Sequence, residues 1–165
     1  MIVNVTNEII LRPLRADEDE LWREVFYDSV RVHYEPLNLA EEQLRGLLEM
    51  QYHAQNLDYR TNYPNASNYV IEYKGVNAGR VILSTEHGDL HIIDMAVLTE
   101  FRGCGIATNI FGWFFDMSRK KDLAIRFYVE KSNPAFSLYE RVGFKVVEDV
   151  TSHYRMEWKA AAKSN

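Results

Sequence analysis

Two glycines in the middle of the chain separate a run of mostly apolar residues from an amphipathic stretch. The apolar run, Leu90 to Leu98, predicts a strand, and apolar side chains recur at helical spacing between Arg102 and Lys121, which predicts a helix. The connection reads Arg102-Gly-Cys-Gly-Ile-Ala107. The first N–H groups of a helix have no intrahelical acceptor, and glycine lets an anion approach the backbone closely. This strand–turn–helix unit therefore predicts an anion-binding site.

The charge of the turn favours a pyrophosphate as the anion, because Arg102 adds a fixed positive charge beside the start of the helix. The turn lacks the Gly-Lys-Ser/Thr ending of a P-loop. It also lacks a third glycine or alanine at dinucleotide-binding spacing, and no acidic residue stands on a following strand to bind a ribose. Two alternatives stay open at this point: a protein that binds ATP or NAD, and a turn that only joins the strand to the helix.

The hydrophobic pattern elsewhere predicts one domain over residues 1–165 with an α+β fold. This fold is an α/β sandwich on a mixed, mostly antiparallel sheet flanked by helices. In the first half of the chain, the other predicted elements are an edge strand at 9–12 closed by Pro13, a helix that begins at Asp17, a second helix over 40–57, a loop at 58–67, and strands at 69–73 and 80–85 joined through Gly75 and Gly79. In the second half, they are a strand at 123–129, a helix from Asn133-Pro134 to Gly143, and strands at 144–150 and 153–158.

Composition limits the class of function. The net charge of −5 argues against a general nucleic-acid binder and suits a cationic substrate such as an amine. Cys104 is the only cysteine, so that no disulfide can form within the chain and a reducing compartment is expected. No stretch approaches the ~20 apolar residues of a membrane span, and the first residues do not resemble a signal peptide. We therefore expect a cytoplasmic protein with no membrane or nucleic-acid partner.

A second motif follows the turn after one helix and one strand. It reads Phe127-Tyr-Val-Glu-Lys-Ser-Asn133-Pro-Ala-Phe-Ser-Leu-Tyr139-Glu-Arg-Val-Gly143-Phe144. The Arg-x-x-Gly-x-Ala pattern of residues 102–107 resembles the coenzyme A signature of the GCN5-related N-acetyltransferase (GNAT) superfamily. The second motif resembles the strand–Asn–helix–Tyr-Glu-x-x-Gly-Phe segment of the same superfamily. The resemblance covers residues 79–150 and is thin before residue 68, where members of the family select their substrates.

This resemblance implies acetyl-CoA as cosubstrate, and the residues themselves lead us to expect no metal. The strands near Met95 and Tyr128 are expected to splay apart at a bulge and open a cleft. The backbone of Met95, Ala96 and Val97 is expected to pair with the pantetheine arm, and an N–H such as that of Val97 to polarise the thioester carbonyl. Asn133 is expected to contact the cofactor beside the departing thiol. The pyrophosphate is expected to bind the turn residues Arg102, Gly103, Cys104, Gly105, Ile106, Ala107 and Thr108.

Two catalytic residues are predicted for attack of an amine on the thioester. The resemblance implies that Tyr139 protonates the leaving thiolate, a mildly uphill transfer because a thiol has a pKa near 8.5 and tyrosine one near 10. Tyr139 also fits a core position on an apolar helical stripe. The alkyl ammonium must lose a proton before it attacks, and His91 is the candidate base, with Asp94 and Glu130 as alternatives. His91 is equally consistent with a residue that faces solvent.

Other arrangements of reactive side chains receive weaker support from the sequence. His87, Asp89 and His91 alternate, which invites a metal site, but Gly88-Asp89 is turn-like and no fourth ligand is evident. Cys104 at a helix start is a candidate nucleophile, although its place in the phosphate turn requires no side-chain chemistry. An amine acceptor is expected among aromatic and polar residues that fit core or homodimer contacts equally well, namely Tyr27, Tyr34, Met50, Gln51, Tyr59 and Tyr63.

The sequence thus predicts an N-acetyltransferase that moves an acetyl group from acetyl-CoA to a primary amine by direct attack in a ternary complex. A non-catalytic module that senses acyl-CoA is the alternative, because a fold does not fix a function. The sequence leaves the acceptor open.

Overall fold

Eight strands form one sheet in the order β1-β2-β3-β4-β5-β6-β8-β7 in a computed structural model whose described part spans residues 1–161. The strands are β1 (Val3–Asn4), β2 (Ile9–Pro13), β3 (Ser67–Tyr73), β4 (Val76–Ser84), β5 (Asp89–Val97), β6 (Ala124–Glu130), β7 (Lys145–Val150) and β8 (His153–Trp158). The helices are α1 (Asp19–Arg31), α2 (Glu41–Asn62), α3 (Ile106–Lys121) and α4 (Phe136–Arg141), with 3-10 turns at Val32–Leu37 and Thr99–Phe101. Only β5 and β6 pair in parallel. The mixed, mostly antiparallel sheet flanked by helices confirms the predicted fold class.

The two faces of the sheet carry two separate hydrophobic clusters, because successive side chains of a strand point to opposite faces. Ile71 and Val81 belong to the larger cluster, which α3 covers with Ile106, Ile110 and Phe114. Their neighbours Val70 and Ile82 belong to the smaller cluster, which α1 and α2 cover with Trp22, Phe26 and Tyr52. The helices between β2 and β3 therefore lie on one face of the sheet, and the helix after the glycine turn lies on the other.

Several predicted boundaries were wrong, each for a local reason. β2 is not an edge strand, because the two-residue β1 pairs with its outer side at Ile10 and Leu11. The loop predicted at 58–67 begins later, since α2 continues through the polar turn 58–62. Helix α3 begins at Ile106 rather than at Arg102, because Gly103 and Gly105 have left-handed backbone angles, with φ of 80° and 77°. None of the helices in the described residues is long and apolar enough to cross a membrane.

Gly79 lies inside β4 and does not form the predicted turn. Opposite it, the backbone of β5 comes so close that a Cβ at this position would lie 2.1 Å from the carbonyl oxygen of Ala96. The absence of a side chain at Gly79 thus permits the close pairing of β4 with the last residues of β5.

Replacement of Gly79 by alanine is expected to lower the free energy of unfolding by about 1–3 kcal/mol, because the clash is with backbone and must be relieved by a shift of β5. Urea denaturation monitored by circular dichroism measures the change. Gly46→Ala and Gly112→Ala are matched controls, since an added Cβ at either helical site meets nothing within 4 Å. Both controls are expected to gain up to about 1 kcal/mol. A Gly79→Ala protein as stable as the original chain would contradict this account.

Candidate active site

The one parallel pair among the described strands separates halfway along its length. β5 and β6 pair from Asp89↔Ala124 to His91↔Arg126 and no further. β6 continues to pair with β8 up to Glu130, whereas β5 continues along β4 up to Val97. A V-shaped opening therefore separates the second halves of β5 and β6, as predicted for the strands near Met95 and Tyr128.

A β-bulge in β5 causes the separation. Leu83 of β4 faces Ile92, but the preceding Ile82 faces Asp94, so that Ile93 is an extra residue in β5. A bulge bends its strand and increases the local twist. Next to the bulge, the buried guanidinium of Arg80 binds the carboxylate of Asp94 at 2.5 Å and the side-chain oxygen of Gln55 at 2.9 Å. This ion pair joins the bulge to β4 and α2.

The free edge of β5 presents backbone groups to the opening. The N–H of Leu98 donates to the carbonyl of Ala78, and the Ala96 oxygen approaches Gly79, so that both residues direct their backbone groups towards β4. Because backbone groups alternate along a strand, those of Met95 and Val97 point away from β4. The Val97 carbonyl accepts a bond from Nε of Arg102 at 3.3 Å, which agrees with this alternation. The N–H of Val97 therefore faces the opening between the strands.

The glycine turn lies beyond the end of β5 and exposes a row of backbone donors. Within the described part of the chain, the N–H groups of residues 103–108 donate to no backbone or side-chain acceptor, and the first bond of the helix is from Asn109 to the Gly105 carbonyl. Residues 102–105 are exposed. Arg102 lies 3.9 Å from Asp28, whose carboxylate also accepts bonds from the N–H and hydroxyl of Thr99. The turn thus offers free donors and one arginine to an anion.

A cavity of about 690 Å³ occupies the opening between the strands. It brings together Met95 and Asn133 with both predicted catalytic residues, Tyr139 and His91. It also contains both alternative bases, Asp94 and Glu130. The glycine turn itself does not line this cavity but lies at the far end of the β5 edge.

Tyr139 lies where the apolar core meets the cavity. Its ring packs against Phe127 at 4.8 Å and against Phe111 and Phe144 at longer range. Burial raises the pKa of its phenol. The phenol therefore stays protonated near pH 7. Its hydroxyl has no hydrogen-bond partner in the described residues, so that it can donate to a molecule bound in the cavity.

Asn133 uses one half of its side-chain amide to shape the backbone. Its Oδ1 accepts a bond from the N–H of Ala135 at 2.8 Å, which stabilises the turn into α4. Its amino group donates to no acceptor among the described residues, and the residue lines the cavity. Asn133 therefore offers a donor to a ligand while its position is fixed by its own helix.

His91 is buried on the last paired residue of β5 rather than exposed to solvent. Its ring lies between those of Tyr63 and Tyr128, with centroid distances of 5.1 and 6.0 Å. Its Nδ1 has no hydrogen-bond partner within the described chain. Burial, and secondarily the positive charge of Arg126, lower the pKa of His91 to about 4. The imidazole is thus neutral near pH 7 and binds a proton weakly.

The other reactive arrangements are not assembled by the fold. Asp89 binds Arg126 at 2.6 Å, which commits the middle residue of the His87-Asp89-His91 series to an ion pair. No group of three metal-ligating side chains occurs among residues 1–161. Cys104 is exposed in the glycine turn, outside the cavity.

The end of α2 supplies a wall of the cavity that the sequence only partly indicated. Tyr59 and Tyr63 lie there as expected, whereas Tyr27, Tyr34, Met50 and Gln51 do not line the cavity. Gln55, Asp58 and His33 do line it and were missed. Gln55 follows Gln51 by four residues and Asp58 follows Gln55 by three, which is the helical spacing that would have identified them.

The site therefore combines a turn that can bind an anion with a splayed strand pair and a cavity beyond it. The family model described as acetyltransferase (GNAT) domain matches residues 38–158, which is most of the chain. This chain belongs to the GNAT acetyltransferase family, as its two motifs predicted.

Solved structures show the same fold at low sequence identity. The PaiA N-acetyltransferase of Thermoplasma acidophilum, in complex with coenzyme A, is 21% identical with a TM-score of 0.69, over 92% of this chain and 99% of that one. Arabidopsis thaliana Naa50, in complex with the bisubstrate analogue CoA-Ac-MVNAL, is 18% identical with a TM-score of 0.57, over 93% of this chain and 99% of that one.

Among curated proteins, the mouse cysteine-rich protein 2-binding protein is 32% identical over 93 residues, and the human protein of the same name gives the same identity. The match covers 56% of this chain but only 12% of those relatives.

The low pKa of His91 predicts a pH dependence of stability. An unfolded histidine titrates near 6.5 and the folded one near 4, so that the unfolded chain binds more protons in this window and stability falls as the pH falls through it. We expect this residue to contribute up to about 3 kcal/mol of that loss. Urea denaturation at pH 7 and pH 4.5 is expected to show a smaller difference for His91→Gln than for the unmodified chain.

A matched control replaces His87, which is exposed. His87→Gln is expected to keep the difference of the unmodified chain. Glu18, whose pKa its hydrogen bond with Arg12 lowers to about 2, loses most of its contribution below pH 4.5, and it does so equally in all three proteins. An equal loss of stability in the His91→Gln and unmodified proteins would refute the proposed burial of a neutral imidazole.

Proposed function

We propose that this protein transfers an acetyl group from acetyl-CoA to a primary amine by direct attack in a ternary complex. The observation that carries the proposal is the continuous path from the glycine turn, along the free edge of β5, to a cavity that contains Tyr139. An extended molecule with an anionic group at one end and an acyl group at the other would fit this path, with the anion at the glycine turn and the acyl group in the cavity. The similar structure from Thermoplasma acidophilum is a complex with coenzyme A.

The backbone of the chain is suited to bind the cofactor. The free N–H groups of residues 103–108 would hold the pyrophosphate, and the helix dipole of α3 adds to their attraction. The outward groups of Met95 and Val97 would pair with the pantetheine arm in the manner of an added strand. The N–H of Val97 would then stabilise the oxyanion that forms at the thioester carbon. Asn133 would contact the cofactor beside its sulfur.

The reaction requires one proton to leave the amine and another to reach the sulfur. The neutral amine nitrogen forms a bond to the carbonyl carbon, and the tetrahedral intermediate then breaks its carbon–sulfur bond. Tyr139 would donate its proton to the departing thiolate and recover one from solvent. Its raised pKa keeps the phenol protonated at neutral pH, so that a proton is available for donation in every turnover.

His91 is the proposed base, and its pKa of about 4 limits how it can act. A neutral imidazole is always ready to accept a proton but does not retain it, so His91 would pass the ammonium proton on to water. Asp94 is a weaker alternative because Arg80 already binds its carboxylate at 2.5 Å. Glu130 is exposed at the end of β6, where it is better placed to contact the acceptor.

Replacement of Tyr139 by phenylalanine tests whether the chain is an enzyme or a non-catalytic acyl-CoA sensor. We expect kcat to fall by about 10²–10⁴-fold, because the general acid is lost, while calorimetric affinity for acetyl-CoA is retained. Tyr69→Phe is the matched control, since this tyrosine is half-buried outside the cavity. A chain that binds acetyl-CoA but turns over no amine would support the sensor, and one that does not bind acetyl-CoA would refute both functions.

Replacement of Arg102 by glutamine tests the phosphate turn. The charge lies at an exposed position, so we expect the Kd for coenzyme A to rise by about three- to tenfold. Arg119→Gln, on the same helix but at its opposite end, is expected to leave the Kd unchanged. Calorimetry with coenzyme A measures both. Equal affinities for the two variants would show that Arg102 does not contact the cofactor.

A further inference from the structure

The acceptor end of the cavity has a one-sided charge. Among the described residues that line it, three carry carboxylates, Asp58, Asp94 and Glu130, and none is lysine or arginine. The guanidinium of Arg80, which does not line the cavity, neutralises the charge of Asp94 in an ion pair. Asp58 and Glu130 form no ion pair with any residue of the described range 1–161, although Asp58 accepts a bond at 2.7 Å from the amide of Asn62 on its own helix. Two uncompensated negative charges therefore border a cavity that has to admit an amine.

Aromatic rings line the same cavity as these carboxylates. Tyr59 and Tyr63 come from the last turns of α2, and Tyr128 comes from β6 on the opposite side. Rings of this kind attract cations through their faces. Burial raises the pKa of Tyr59 and of Tyr63, so that the rings are neutral and add no charge of their own. Carboxylates and tyrosines together suit an alkyl ammonium better than a neutral or anionic group.

A buried, neutral imidazole lines the same cavity. His91 is only 3% exposed, and its Nδ1 has no hydrogen-bond partner in the described part of the protein. Burial lowers the pKa of His91 to about 4, so that the ring adds no positive charge to the cavity near pH 7. A neutral imidazole does not repel an ammonium group, and this observation is independent of the acidic residues.

From these observations we infer that the acceptor is a small diamine or polyamine, whose second ammonium group is bound by Asp58 and Glu130 while the first amine reacts beside His91. The inference rests on the proposed function and names its substrate class. Asp58 and Glu130 are specificity-determining residues in this scheme and take no part in the chemistry. They lower KM for a dication and leave kcat unchanged, because the distal ammonium is bound equally in the ground state and the transition state.

The test compares an α,ω-diaminoalkane with the n-alkylamine of the same chain length, at saturating acetyl-CoA and with detection of the released thiol. The diamine is expected to have a kcat/KM at least about tenfold higher, since two exposed carboxylates each contribute a few-fold. Addition of 0.5 M NaCl is expected to reduce this preference by screening. Equal kcat/KM values for the two amines, or a short uncharged peptide used as well as the diamine, would overturn the inference.

Charge-neutral variants identify the residues. Asp58→Asn and Glu130→Gln are each expected to raise KM for the diamine about three- to tenfold and thereby to reduce the preference for the diamine over the monoamine. Glu24→Gln, an exposed carboxylate on α1 outside the cavity, is the control and is expected to change neither. A similar loss for both amines would contradict the assigned role. If a variant fails to fold, the salt dependence of the unmodified protein still decides the question.

Failure of the proposed function gives a different result. In that case coenzyme A binds but neither amine releases thiol, whereas failure of this inference alone leaves both amines as equal substrates.

Discussion

The bulge at Ile93 is the constraint on which the site depends. If β5 stayed in register with both neighbours, its N–H and carbonyl groups would be paired with β6, and no backbone donors would remain for a ligand. The extra residue turns the second half of β5 away from β6, while Gly79 lets the same half approach β4 closely. Arg80 and Asp94 form their ion pair at this point, and the guanidinium of Arg80 is almost completely buried. Removal of one partner would leave a buried charge, so the pair fixes the bend more than it adds stability.

The two faces of the sheet carry different parts of the site. Helix α3 and the glycine turn belong to the face that would hold the cofactor, and α1 and α2 belong to the face that would hold the acceptor. Asp28, near the end of α1, connects them, because it accepts two hydrogen bonds from Thr99 and lies 3.9 Å from Arg102. The acceptor helices are thereby attached to the connection that precedes the phosphate turn. A small movement of α1 would change the surroundings of Arg102, which gives the two halves of the site a physical link.

The sequence predicted the elements around the glycine turn well, because the signals there are local. The Gly103–Gly105 turn needs left-handed backbone angles, and the helix that follows has an apolar face that identifies it at once. The acceptor end depends on contacts between distant segments, and there the sequence was less informative. The polar residues 58–62 suggested a loop, but α2 continues through them because Tyr52, Tyr59 and Tyr63 pack against the rest of the protein. Burial of His91 could not be anticipated either, since it results from Tyr63 and Tyr128, which are far from it in sequence on either side.

Tyr139 shows why packing and chemistry are difficult to separate in such a site. As a member of an apolar stripe it fits the core, and its ring does pack against Phe111, Phe127 and Phe144. The same burial raises the pKa of its hydroxyl, which leaves the cavity with a neutral phenol whose proton has no competing acceptor among residues 1–161. The apolar surroundings therefore give Tyr139 both a fixed position and a retained proton. On physical grounds, the core interpretation and the catalytic interpretation describe two ends of one side chain: the ring stabilises the fold, and the hydroxyl is exposed to whatever the cleft binds.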